Sequence, residues 1–253
     1  MQAGEIEING ETYRTVMLRS RTRNAYARVE GGSIVVKIPE RLRENEAIEV
    51  FEMLSSRFAK RLEKIGYRKP VQMSFKDGDR MNLLGTAFAV RVGRHTSGRY
   101  SAMVMHNDGM AELRISVPEN SRPDEHMASE LARKALSKAL LPRLNERVDS
   151  VNNRYFGLRL AGVRISRDGR SRWGSCNTRT KIININFRLL FAPEAILDYV
   201  IIHELSHLKE QRHNKRFWGI VGTADPLSKE HARWLEANSG LLGPSFGKGI
   251  AKP

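Results

Sequence analysis

The chain has 253 residues, 40% of them hydrophobic, with a net charge of +15 and a mean hydropathy of −0.46. That is enough chain to bury one large core or two modest ones, and the scattered glycines and prolines exclude a low-complexity or disordered class. No window approaches the roughly 18 apolar residues of a membrane span, residues 1–11 lack the basic start and apolar stretch of a signal peptide, and the single Cys176 excludes an internal disulfide. A cytoplasmic protein is expected.

The first elements read as strands with turns between them. Ser33 to Ile38 is β-branched, follows Gly31-Gly32 and is ended by Pro39. Glu44 to Ile65 has helical spacing, with Ile48, Phe51, Leu54, Phe58 and Leu62 on one stripe and Gly66 as its cap. A second unit repeats the plan. Glu112 to Val117 follows Asp108-Gly109 and meets Pro118, and a helix runs from about Pro123 to Val148, where Pro142 should kink or divide it. Ile38-Pro39-Glu40 and Val117-Pro118-Glu119 take matching places, which suggests a ββα-like duplication with a period of about 79 residues.

Further on, Leu158 to Ile165 is expected as a strand, followed by a basic loop to Thr180. Lys181 to Phe187 alternates, with Ile183, Ile185 and Phe187 on one face and Asn184 and Asn186 on the other. From Arg154 to Arg188 nine basic residues stand against the single acid Asp168. Such a stretch is either a solvated face or a footprint for nucleic acid, nucleotides or acidic protein segments. Pro193 opens a helix expected to reach Lys209, and another spans about Ser228 to Ala237. The domains expected are a β-rich region over 1–145, a second domain over 146–238 and a mobile tail over 239–253.

The helix from Pro193 carries the chemistry. Ile196, Leu197, Val200, Ile201, Leu205 and Leu208 make it apolar nearly all round, so it should be buried. His203 and His207, four apart, sit about 40° apart on the helical wheel and can reach one metal ion. Glu204 lies about 60° from His207, beside the ligands, where it can bond a metal-activated water without competing for the metal. Buried and unpaired, these three side chains would be costly, and a bound ion removes the conflict. Zinc needs a third ligand and an open position. His213 supplies one if the helix ends near Lys209 to Arg212 and the chain turns back. Glu230, on the following helix, is the rival. Metzincins share the spacing to His213 but turn at a glycine, where this chain has Glu210, so membership of that group is not expected.

Several segments together resemble the YgjP-like family of zinc metallohydrolases, related to the SprT-like and wider zincin proteins. They are Ser171-Arg172-Trp173-Gly174-Ser175-Cys176, Ile183-Asn184-Ile185-Asn186, the run from Asp198 to His207, and His213-Asn214-Lys215-Arg216-Phe217-Trp218, with Trp234 and Leu84-Gly85 as weaker matches. The resemblance implies an α+β fold, with a zincin-like C-terminal metallo-domain behind a β-rich N-terminal region. It also implies His203, His207 and His213 as ligands of one zinc ion and Glu204 as the catalytic acid/base. Relatives often carry cysteine or alanine at the place of Ser206.

Three residues are candidates for substrate contact. Asn184 and Asn186 would lie on a strand that in zincins runs along the cleft edge, where an extended substrate adds. Arg172 could clamp a carboxylate or phosphate. Trp173 reads as packing, Gly174 as a backbone requirement and Cys176 as an inert thiol or, less simply, a ligand. His95, His106, His126 and His231 read as surface or satisfied histidines. The function expected is zinc-dependent hydrolysis by a metallopeptidase. Phosphoanhydride hydrolysis of nucleotides and a non-catalytic, metal-stabilised, nucleic-acid-associated module are the alternatives. The pattern around the metal does not fix the bond cleaved.

Overall fold

In the computed structural model the residues described are 3–30, 33–67, 74–96, 98–107, 110–119, 124–166, 172–238 and 240–243. The expected turns at Gly31-Gly32 and Asp108-Gly109, Ser171 and most of the tail from residue 239 lie outside them. The chain separates into two compact units, Met1–Val71 with Arg233–Leu241, and Gln72–Ala232 with Leu242–Pro253.

The first unit contains β1 (Ala3–Ile8), β2 (Glu11–Ser20), β3 (Tyr26–Glu30), β4 (Ser33–Pro39) and α1 (Glu44–Lys64). Its sheet has the order β1-β2-β4-β3, antiparallel between β1 and β2 and between β3 and β4, and parallel between β2 and β4. The core forms where alternate strand residues Tyr13, Met17, Ile34, Val36 and Ile38 meet Ala47, Phe51 and Leu62 of α1. The expected stripe faces this core, with Ile48, Leu54 and Phe58 partly buried against it. α1 stops at Gly66, whose φ of 67° allows Tyr67 N–H to donate back to Leu62 O (2.9 Å) and satisfy an end carbonyl.

The second unit opens with β5 (Arg80–Leu83), β6 (Thr86–His95), β7 (Ser101–Asn107), β8 (Met110–Pro118) and α2 (Glu125–Tyr155). Strand order and pairing senses repeat those of the first sheet, β5-β6-β8-β7 with β6 and β8 parallel. The two Pro-Glu segments hold matching positions, since Glu40 N–H donates to Ser20 O and Glu119 N–H to His95 O, both at 3.1 Å. α2 runs unbroken through Pro142, and the boundary expected at 145 falls inside it. Proline removes one helical donor, while Leu136, Leu140, Leu144 and Val148 remain buried on both sides of it and carry the helix through.

The unit continues with β9 (Gly162–Ser166), β10 (Gly174–Asn177) and β11 (Ile182–Asn186), a 3-10 helix over Phe187–Phe191, then α3 (Glu194–Ser206), α4 (Lys215–Ala224) and the start of α5 (Ser228–Asn238), whose residues from Arg233 on belong to the first unit. Two expectations change here. Residues 158–161 are not strand, because Asn152 donates to Leu158 O (2.7 Å) and accepts from its N–H (3.0 Å), holding that backbone as a loop. The expected basic loop contains β10, which pairs antiparallel with β11 through an Asx turn in which Asn177 accepts from Arg179 and Thr180 N–H. No helix among the described residues is long and apolar enough to cross a membrane.

Candidate metal centre

α3 is buried on nearly every side, including Ile196, Leu197, Val200, Ile201 and Leu205. It begins after Pro193 and ends at Ser206, earlier than expected. The next bonds tighten, Leu208 N–H to Leu205 O and Lys209 N–H to Ser206 O, and Glu210 Oε1 then accepts from Arg212 N–H. The turn to His213 is built this way, with no residue from 207 to 213 at positive φ. A glycine is therefore not needed where Glu210 stands. Asn214 follows at once as the cap of α4, accepting from Phe217 N–H at 3.0 Å.

These two helices bring three imidazoles together. His203 Nε2 and His213 Nε2 are 3.0 Å apart, and one nitrogen from each of His203, His207 and His213 lies within 4.8 Å of the others. Neither Glu230 nor Cys176 belongs to the converging set among the described residues. Phe217 forms an apolar floor, fully buried, with its ring centroid 4.9 Å from that of His203 and 4.6 Å from those of His207 and His213. Burial, reinforced by the two neighbouring histidines, lowers the His203 pKa to about 4. Burial also lowers that of His207. Both rings are thus neutral at pH 7, the form that ligates metal.

Glu204 is 6% exposed. Burial raises its pKa to about 7 against the opposing charge of Arg172. β10 packs beside α3, and a Cβ on Gly174 would lie 2.6 Å from Glu204 Oε1. Gly174 is therefore the residue that admits the carboxylate. Ser206, between the two histidines, is fully buried and its hydroxyl donates to Ile202 O (2.7 Å), which confines it to packing.

The asparagines take other positions than the sequence suggests. β11 is the middle strand of the order β10-β11-β9, so both its backbone edges are used and no substrate strand can add to it. Asn184 donates to Ser175 Oγ (3.1 Å). Asn186 is buried, donates to Arg172 O (2.9 Å) and caps the 3-10 helix by accepting from Arg188 N–H. The two side chains brace β10 and the start of that helix. Arg172 itself is exposed. Cys176 is half-buried, and burial with the nearby Glu204 charge pushes its thiol up to about 11.

Sequence reasoning gave Asp198, Tyr199, Phe217 and Trp218 no role of their own. Asp198, five before His203, takes a bidentate bond from Arg147 of α2 (2.7 and 2.6 Å). Tyr199 lies edge-on to His203. His231, read from the sequence as a surface or satisfied histidine, is paired with Asp225 at 2.9 Å. Phe217 and Trp218 line the imidazoles, and their place just after His213 was the available sign.

A model of the YgjP-like metallopeptidase domain matches residues 23–238. The chain belongs to this family. Membership implies a divalent metal and a peptide substrate. No curated protein matches the chain. Among solved structures, the metallopeptidase zymogen of Pyrococcus abyssi abylysin is similar at 24% identity, covering 36% of this chain and 90% of that one, with a TM-score of 0.33.

Proposed function

We propose that this YgjP-like protein is a zinc-dependent peptidase of zincin-like design, with one ion held by His203, His207 and His213 and Glu204 as general base. The observation that carries the reading is the convergence of three imidazoles beside a buried carboxylate. Two nitrogens bound to one tetrahedral zinc at about 2.05 Å stand about 3.3 Å apart, close to the 3.0 Å between His203 and His213 Nε2. All three donors are of the type zinc prefers in catalytic sites.

Zinc supplies a Lewis acid and a water of lowered pKa. The chain supplies the rest. Glu204, whose pKa burial raises to about 7, would accept the proton of the attacking water and return it to the departing amine. Phe217 excludes water beneath the rings and fixes their tilt. The substrate backbone adds along β10, the strand of this sheet next to α3. Arg172 receives a carboxylate of the substrate.

Arg172 also favours a second reading, hydrolysis of a nucleotide phosphoanhydride, since its guanidinium acts on Glu204 and would hold a phosphate equally well. The test incubates zinc-loaded protein with unfolded casein, with and without DNA, and with the four nucleoside triphosphates. Casein cleavage is expected, lost by roughly 10²- to 10⁴-fold in Glu204→Gln while one zinc per chain remains bound. Phosphate release without peptide cleavage would overturn the peptidase reading. Full casein cleavage by Glu204→Gln would overturn the base.

A further inference from the structure

Phe217 and Trp218 are adjacent on α4, yet their surroundings differ. Consecutive helical positions point about 100° apart. Phe217 turns inward and is fully buried, whereas Trp218 keeps 47% of its surface exposed. The indole is nevertheless not remote from the metal centre. It stacks on His213 with centroids 5.8 Å apart and an interplanar angle of 28°, and meets His203 edge-on at 5.9 Å. Phe217 already closes the apolar side of the three rings, so Trp218 is not required there. About half of the Trp218 surface thus stays in water beside two imidazoles of the site. Ligand sites are lined largely by aromatic and apolar side chains grouped around a few polar ones, and an indole packed on two imidazoles has that setting.

We propose that Trp218 is a specificity-determining residue, a wall of the site that receives a bulky apolar side chain, aromatic or long aliphatic, from the substrate residue next to the bond cleaved. The inference rests on the peptidase reading above. A scissile peptide group near the three imidazoles carries side chains on either side of it, and the one directed to α4 meets the open face of the indole. An aromatic or branched side chain covers that face and gains area burial and stacking, while alanine covers little of it. An acidic side chain would meet the negative face of the ring, which offers its charge no partner.

The test uses the zinc-loaded full chain. Products of casein digestion locate the cleaved bonds, and two fluorescein-labelled peptides are made from one such site, differing only in phenylalanine or alanine beside the bond. We expect the phenylalanine peptide to be favoured by roughly tenfold or more in kcat/KM. Trp218→Ala should remove most of that preference through KM, with kcat little changed and zinc stoichiometry intact. Trp218→Phe should retain most of it. Binding is read separately in the Glu204→Gln background, where the phenylalanine peptide should bind more tightly than the alanine peptide only while Trp218 is present.

An unchanged preference in Trp218→Ala overturns the inference. So does an equal loss on both peptides accompanied by zinc loss, which would make Trp218 a support for His213 alone. If the unaltered protein cleaves neither casein nor peptide and Glu204→Gln binds neither, the peptidase reading falls and the inference with it. Cleavage without preference leaves that reading standing and removes only the role of Trp218.

Discussion

The Glu204 carboxylate occupies the space that a side chain at residue 174 would need. A Cβ there would stand 2.6 Å from Oε1, 2.7 Å from Cγ and 2.9 Å from Cδ. Glu204 is buried on an α3 that is itself buried, so it cannot swing aside into water. The glycine keeps the carboxylate against β10, where a substrate backbone would pass.

Gly174→Ala should therefore displace Glu204 and leave the imidazoles in place. A misplacement of about 1 Å in a reacting group costs on the order of 10²-fold in rate. We expect peptide cleavage to fall by that order while zinc content, measured by mass spectrometry, stays at the level of the unaltered protein. An alanine variant with undiminished kcat would show that the close approach has no catalytic meaning.

The pair Arg147–Asp198 should fix α3 against α2. The contact is bidentate, with side chains 35% and 26% exposed, and Glu194 adds a longer contact at 3.6 Å. Its geometry holds the Arg147 guanidinium above its ordinary pKa, chiefly through the bond to Asp198. Bonds to charged groups contribute about 1.5–3 kcal/mol when shielded, and exposure of a third reduces this to about 1–2 kcal/mol. Denaturant unfolding of Arg147→Met, Asp198→Asn and the double variant should give a coupling energy near 1 kcal/mol. Additive losses would mean that the pair contributes nothing beyond its parts.

How much of this site can be read along the chain depends on the range of each interaction. The apolar stripe of α1 and the cylinder of α3 are local periodicities, and the four-residue spacing of His203 and His207 is a property of one helix. β10 is different. Gly174–Asn177 has no strand pattern of its own and becomes a strand because β11 pairs with it. Asn186 alternates as an outward residue, but the chain turns into a 3-10 helix at Phe187 and buries it as the cap. Gly174 and Glu204 are about thirty residues apart, and the fit between them belongs to no repeat. Pro142 misleads in the other direction, because a local breaker is overruled by the buried leucines around it.

In the metal-free protein the site carries two opposed pH linkages. The His203 pKa falls from 6.5 to about 4, so between those values the unfolded chain binds a proton that the folded chain does not. Its contribution is present above pH 6.5 and lost on acidification towards 4. The Glu204 pKa rises from 4.5 to about 7, so the folded chain holds the proton in that window and its contribution is lost as pH rises. In the overlap the two slopes offset each other. With chelator present, the melting temperature of Glu204→Gln should rise more steeply from pH 4 to 6.5 than that of the unaltered protein. His203→Gln should shift the slope the other way between pH 4.5 and 7. Three parallel profiles would refute the assignment of either shift.

Cys176, the single thiol, reports on the same burial by a chemical route. It lies on β10, half-buried, with burial raising its pKa from 9.0 to about 11 and the Glu204 charge adding to the rise. The thiolate is the reactive form, and at pH 8 a pKa of 11 leaves roughly 100-fold less of it than an ordinary thiol has. Labelling of the folded, metal-free protein with Ellman's reagent should be slower by at least that factor than labelling in denaturant. Glu204→Gln removes the neighbouring carboxylate charge and should speed the reaction without changing the unfolded rate. Labelling of the folded protein at the speed of a free thiol would place Cys176 in water and away from Glu204. It would also remove the tight packing of β10 against α3 on which the role of Gly174 depends.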